Sequence, residues 1–167
     1  EIRTVFLEKL KISESKLNLL DMISETAGFL LNDCQDVNTV GVLSTIGTWK
    51  AGFYPELLEQ YGFEVLTLNE QQQQDLHNEA LFNPVYGIKV QAHPVSLQAR
   101  DALLKAVYSL EKRGAQAIIL GCTEIPLGIP ERIIGETYCI DPGLILARAL
   151  IREFCSEKLL PWNWYKQ

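Results

Sequence analysis

The sequence predicts an α/β domain with a mainly parallel sheet flanked by helices. Three observations carry that prediction. Short apolar, β-branched runs occur at residues 39–44, 63–68 and 115–120, stretches of helical period lie between them, and glycines or capping residues mark the junctions. Continuous apolar runs suit strands buried on both faces, the condition of a parallel sheet covered by helices. No low-complexity linker divides the chain, so residues 1–167 are expected to form a single domain.

Taken in order, residues 3–11 place Val5, Phe6, Leu7 and Leu10 on a short helical face, and residues 17–22 form a brief apolar strand before a helix at 24–31. A second strand–helix unit follows. The run Thr39-Val40-Gly41-Val42-Leu43-Ser44 enters Thr45-Ile46-Gly47-Thr48 and then one helix carrying Tyr54, Leu57, Leu58 and Tyr61. Gly62 ends that helix, residues 63–68 form a third strand, and the polar run Asn69-Glu70-Gln71-Gln72-Gln73-Gln74 starts a helix with a solvated glutamine face. Prolines and a glycine make 82–94 a long ordered loop. Ser96 caps a helix that buries Leu103, Ala106, Val107 and Leu110, turns Arg100, Lys105 and Glu111 to water, and stops at Gly114. The strand 115–120 runs into Gly121-Cys122-Thr123, and after a short strand at 136–140 the pair Asp141-Pro142 opens the last helix.

Composition narrows the function. With 47% hydrophobic residues the chain is long enough to bury a real core, and a net charge of −6 spread without like-charge blocks argues against nucleic acid as a partner. No apolar run approaches the length of a membrane span, and no signal-peptide pattern opens the chain, so no membrane partner and a cytoplasmic location are expected. Cys34, Cys122, Cys139 and Cys155 form no Cys-x-x-Cys pair, and His77 and His93 lack zinc spacing, so neither a metal site nor a disulfide framework is indicated. The first residue is Glu1 and the only methionine is Met22, which suggests a processed or cut chain or an incomplete gene segment.

In open parallel sheets ligands collect at the carboxyl ends of the strands. Two segments have that placement. Ser44-Thr45-Ile46-Gly47-Thr48 offers hydroxyl and N–H donors for a carboxylate, although a cap-and-turn role explains Thr45 and Gly47 as well. Gly121-Cys122-Thr123 sets a thiol at a strand end before a helix N-terminus, where the dipole favours a thiolate able to act as a general base. The alternative is a small buried hydrophobe, the reading kept for Cys34 in a polar loop, Cys139 in a strand and Cys155 near a helix end.

Leu120-Gly121-Cys122-Thr123-Glu124-Ile125-Pro126-Leu127 resembles the second cysteine motif of the aspartate/glutamate racemase superfamily, with Glu124 where glutamate racemases typically carry histidine, a difference that points to the aspartate branch. Asp21-Met22-Ile23-Ser24-Glu25-Thr26, residues 41–48, Tyr86-Gly87-Ile88-Lys89 and Ile140-Asp141-Pro142 resemble further family segments in the expected order. The resemblance implies racemisation of an aspartate- or glutamate-like amino acid without a cofactor, one cysteine removing the α-proton and a second supplying a proton on the opposite face. It also implies that Thr45, Thr48 and Thr123, with Gly47 in the same turn, hold the substrate carboxylate and that Lys89 lies near the side-chain carboxylate, an ordinary solvated lysine being the alternative on the residues alone. Glu124 would orient the thiol or meet the ammonium, a capping or solvent role fitting equally well.

The chain departs from that pattern in one respect. The family's Cys-Asn-Thr motif is absent, and Cys34, followed by Gln35-Asp36, does not replace it. The expectation is one lobe, with a returning strand and helix, of a two-lobed racemase fold. The last helix leaves only a narrow polar stripe at Arg148 and Arg152, so its apolar surface would be exposed or shared with another chain, as in a homo-oligomer. Trp162, Trp164 and Tyr165 add apolar area that docks on a partner or frays. Two other functions remain open: a non-catalytic carboxylate-binding or assembly module, and a superfamily isomerase or decarboxylase.

Overall fold

The structure, a computed structural model, describes residues 19–162 together with Val5, Glu8 and Lys9. Phe6, Leu7 and Leu10 of the expected helical face, the start of the strand at 17–22, and Trp164 and Tyr165 lie outside these. Within the described residues, Asp21 turns the chain into helix α1 (Met22–Asp33) by accepting from the Ser24 N–H at 2.9 Å and the Ser24 hydroxyl at 2.6 Å. Met22 is therefore the first helical residue rather than the end of a strand, because an aspartate at the cap satisfies an N–H that an extended backbone would leave elsewhere.

Strand β1 (Thr39–Leu43) follows, and then the expected single helix is two, α2 (Ile46–Ala51) and α3 (Phe53–Gln60). Gly52 divides them at φ 68, a left-handed conformation that ends the first helix and starts the second at a new angle. After β2 (Glu64–Thr67) comes α4, residues 70–82. It is α-helical at Glu70–Gln72 and Glu79–Phe82, with a π-helical turn at Gln73–Asn78, and opens with a capping box between Asn69 and Gln72. The irregular loop is present as expected. Ser96 caps α5 (Leu97–Glu111) by accepting from the Ala99 N–H at 3.1 Å, and Leu103, Ala106, Val107 and Leu110 are fully buried.

Strand β3 (Ala117–Leu120) is buried throughout and leads to α6 (Ile125–Gly128). A short strand not expected from the sequence, β4 (Ile133–Ile134), turns at Gly135 (φ 59) into β5 (Thr137–Ile140), and Asp141 caps α7 (Pro142–Cys155) through the Gly143 and Leu144 N–H groups. The five strands are ordered β2-β1-β3-β5-β4, parallel except for β4. Side-chain alternation then builds two cores. Val40, Val42, Ala117, Ile119 and Ile140 face α1, α3 and α7, whereas Leu43, Ile118, Leu120 and Cys139 face α4 and α5. Each fully buried Leu or Ile contributes about 1.5–3 kcal/mol.

One surface expectation is corrected in part. Lys105 faces water as expected, but Arg100 and Glu111 are only partly exposed: Arg100 donates to the Gly128 carbonyl at 2.6 Å and pairs with Glu131, while Glu111 accepts from the Thr137 hydroxyl at 3.1 Å. On α7 the two arginines of the polar stripe have partners at the surface. Arg152 forms a fork with Glu25 of α1 at 3.0 and 3.1 Å, and Arg148 donates to the Leu160 carbonyl and stacks on Trp162, whose ring also meets Phe29 edge-on at 4.7 Å. Trp162 thus docks on its own chain, and the exposed apolar side of α7 consists of Leu150, Ile151 and Phe154.

The loop after α4 is fastened by Ile88 N–H to Ala80 O and Lys89 N–H to Leu81 O, at 2.9 and 3.0 Å. That fastening needs Gly87, where a Cβ would lie 2.6 Å from Asn83 O and 2.8 Å from Leu81 O, both backbone atoms. Gly87→Ala is expected to destabilise the domain by about 1–3 kcal/mol, a fall in Tm of roughly 2–4 °C per kcal/mol in a thermal melt.

Candidate functional site

The chain order changes direction between β1 and β3, because β1 is followed on one side by β2 and on the other by β3. Such a switch point opens a crevice at the carboxyl ends of the two strands, where ligands of open α/β sheets bind. Ser44-Thr45 leaves β1 there and Gly121-Cys122 leaves β3. The two exits are tied by a hydrogen bond from Gly121 N–H to Leu43 O at 2.7 Å. Gly121 suits that proximity: a Cβ would sit 3.0 Å from Leu43 O and 3.1 Å from the Tyr54 ring, tighter than ordinary van der Waals contact.

Of the residues singled out from the sequence, Cys122, Thr123, Glu124 and Lys89 converge. The Cys122 thiol, half-buried, donates to Glu124 Oε2 at 2.8 Å, the Thr123 hydroxyl donates to the same oxygen at 3.1 Å, and Lys89 forms an ion pair with Glu124 Oε1. The ammonium also lies 5.4 Å from the centre of the Phe82 ring. Thr45 and Thr48 form a second cluster, their hydroxyls 3.2 Å apart. Thr45 occupies the N-cap of α2, its carbonyl accepting the first helical bond and its side chain making no capping bond, and Gly47 is exposed with open space where a Cβ would stand.

The electrostatics run against one expectation. The helix after Cys122 is only the single turn Ile125–Gly128, and the thiol faces a carboxylate. Burial first, and then the Glu124 hydrogen bond, push the Cys122 pKa up to about 11, so the resting group is a thiol and not a thiolate. Glu124 moves the other way, down to about 2, because the thiol and Lys89 both donate to it. A depressed carboxyl stabilises the fold above its ordinary pKa of 4.5 and loses that contribution as pH falls through about 2. A carbon-13 titration of the Glu124 carboxyl is therefore expected to have its midpoint near 2.

The other cysteines stand apart. Cys34 stands where α1 gives way to the polar turn at Gln35-Asp36, its side chain buried and its pKa pushed up by burial to about 12, and Cys139 is likewise buried in β5 at about 12. Cys34 lies just before β1 begins and Cys155 at the far end of α7, both at the pole of the sheet opposite Cys122.

Two groups near the site were not found from the sequence. Tyr54 packs its ring against Gly121, and its buried hydroxyl has no partner, with a pKa pushed up to about 12 by burial and by Asp21, Asp141 and Cys122. Gln73, expected on a solvated face, is 2% exposed and donates to the Ser44 carbonyl at 2.8 Å. A signal existed: Gln73, His77, Ala80 and Leu81 share one helical face.

This parallel sheet, with a thiol beside a carboxylate at its switch point, can be set beside known proteins. The model of the Asp/Glu/hydantoin racemase family matches residues 12–150, and this chain belongs to that family. The glutamate racemase of Pseudomonas aeruginosa (strain UCBPP-PA14) is 31% identical over 127 residues, covering 72% of this chain and 43% of that protein, and the glutamate racemase of Pseudomonas putida (strain W619) is 29% identical over the same shares. The chain thus spans less than half the length of these curated relatives. Among solved structures, the Picrophilus torridus aspartate racemase is 26% identical with a TM-score of 0.60 over 83% of this chain and 54% of that one. An aspartate racemase homologue from Pyrococcus horikoshii OT3 matches 92% of this chain and 63% of that one at a TM-score of 0.68 and 24% identity, a likeness of fold alone. No helix of the described residues is long and apolar enough to cross a membrane.

Proposed function

We propose that the switch-point cluster binds an acidic α-amino acid of the aspartate type and that Cys122 exchanges its α-proton without a cofactor, as one of the two acid/base thiols of a racemase. The observation that carries this reading is the linked set Cys122–Glu124–Lys89. It offers one acceptor for an ammonium, one cation for a side-chain carboxylate and a thiol beside both. Thr45, Thr48 and Thr123, with the backbone at Gly47, supply donors for the α-carboxylate.

Ligand binding also supplies what the resting thiol lacks. An incoming ammonium competes for Glu124 and an incoming carboxylate for Lys89, which removes the thiol's acceptor and exposes Sγ to cationic neighbours that favour the thiolate. Cys34 and Cys155 lie at the opposite pole and Cys139 inside the sheet. This chain is therefore assigned proton exchange at one face of the substrate, the second thiol coming from outside these residues.

The test is incubation with L- and D-aspartate in heavy water, following α-proton loss by NMR and optical rotation in parallel. Exchange without inversion is expected. Inversion by this chain alone would refute the single-thiol assignment. Absence of exchange by the folded chain would instead favour a carboxylate-binding module, a reading consistent with the raised pKa of Cys122.

A further inference from the structure

The α4 helix changes to π-helical geometry at Gln73–Asn78, an insertion often found at functional sites. Its two buried polar side chains, Gln73 at 2% exposure and His77 at 0%, point to what the distortion serves. The Ser44 carbonyl can only accept, so the group facing it at 2.8 Å is the Gln73 amide nitrogen. The second hydrogen of that nitrogen is directed at His77 Nδ1, 3.1 Å away. Nδ1 then accepts, the ring proton resides on Nε2, and Nε2 has no partner. A fully buried histidine kept with an orphan N–H is poorly explained by packing, since an apolar side chain would leave nothing unsatisfied. What this histidine provides is its other nitrogen, which orients Gln73.

The carbonyl so held is in a sensitive place. Leu43 O is taken by Gly121 N–H, and Ser44 O, the next carbonyl along, is taken by Gln73. Together these bonds fix where β1 ends, where Thr45 begins α2, and how that turn stands relative to Cys122. We propose that Gln73 and His77 are positioning residues that hold the Thr45–Thr48 turn in place as a carboxylate-binding element, an inference that rests on the function proposed above.

The experiment pairs amide hydrogen exchange with calorimetric binding of aspartate in Gln73→Met, His77→Leu and His77→Asn. In Gln73→Met and His77→Leu, protection of the Trp49 amide, which donates to Thr45 O at 2.8 Å, is expected to fall about tenfold while the Ala117–Leu120 amides stay within about twofold. Aspartate affinity is expected to fall about tenfold with it. His77→Asn, whose amide oxygen can accept from Gln73, is expected to restore both. Unchanged Trp49 protection, loosening shared equally by β3, or His77→Asn behaving as His77→Leu would each overturn the proposal. A loosened turn with undiminished aspartate affinity would overturn its link to the ligand. If the unsubstituted chain binds no aspartate, the proposed function fails, while Trp49 protection still decides the positioning role.

Discussion

Cys122→Ser is expected to lower the rate of aspartate α-proton exchange by about 10²–10⁴-fold, the range contributed by one general acid–base group. Serine keeps the size and the donor to Glu124 but cannot form an anion at accessible pH, so the fold and the Lys89–Glu124 pair persist while the base is lost. Circular dichroism and Tm establish that the domain is intact, and NMR in heavy water reads the exchange. Undiminished exchange in this variant would remove Cys122 from the chemistry.

Glu124→Gln is expected to move the Cys122 pKa down from about 11, since it deletes the carboxylate that both accepts the thiol's hydrogen bond and repels the thiolate, and frees Lys89 nearby. While the pH stays below the thiol's pKa, lowering that pKa from 11 to 10 makes the thiolate about tenfold more abundant. At pH 8, alkylation of Cys122 by iodoacetamide is therefore expected to accelerate about tenfold or more. Burial, the largest cause of the raised pKa, remains, so the value does not fall to that of an exposed thiol. Slower alkylation would mean that the carboxylate activates the thiol by drawing off its proton. The two substitutions separate thiol chemistry from thiol environment.

Local signals made much of this fold legible. The apolar runs of β1 and β3, the caps Ser96 and Asp141 and the stop glycines Gly62 and Gly114 act within a few residues, and each stands where its chemistry predicted. What depended on distant partners was not legible. Arg100 reads as a solvated helical residue until Glu131 and Gly128 are brought beside it, and Gln73 reads as one of a polar run until Ser44 faces it. Gly52 divides two helices where the apolar spacing alone runs on unbroken.

The candidate site shows the same division. Its residues were readable as motifs, but the pairing of Lys89 with Glu124 across 35 positions was not, and neither was the direction of the thiol's pKa. A strand-end cysteine before a helix promises a stabilised anion. The helix is one turn long and its cap, Glu124, is itself an acid, so the charge beside the sulfur has the opposite sign.

The alignment of β1 with β3, Leu43 opposite Leu120, also sets where this domain tolerates a change of length. One residue inserted in β3 would exchange its two faces, sending Ile118 and Leu120 toward α1 and α7 and Ile119 toward α5, and would lift Gly121 off Leu43 O. The exposed segment 90–94 carries no such alternation. Lengthening there leaves the strand ends, and the spacing between thiol and threonines, untouched.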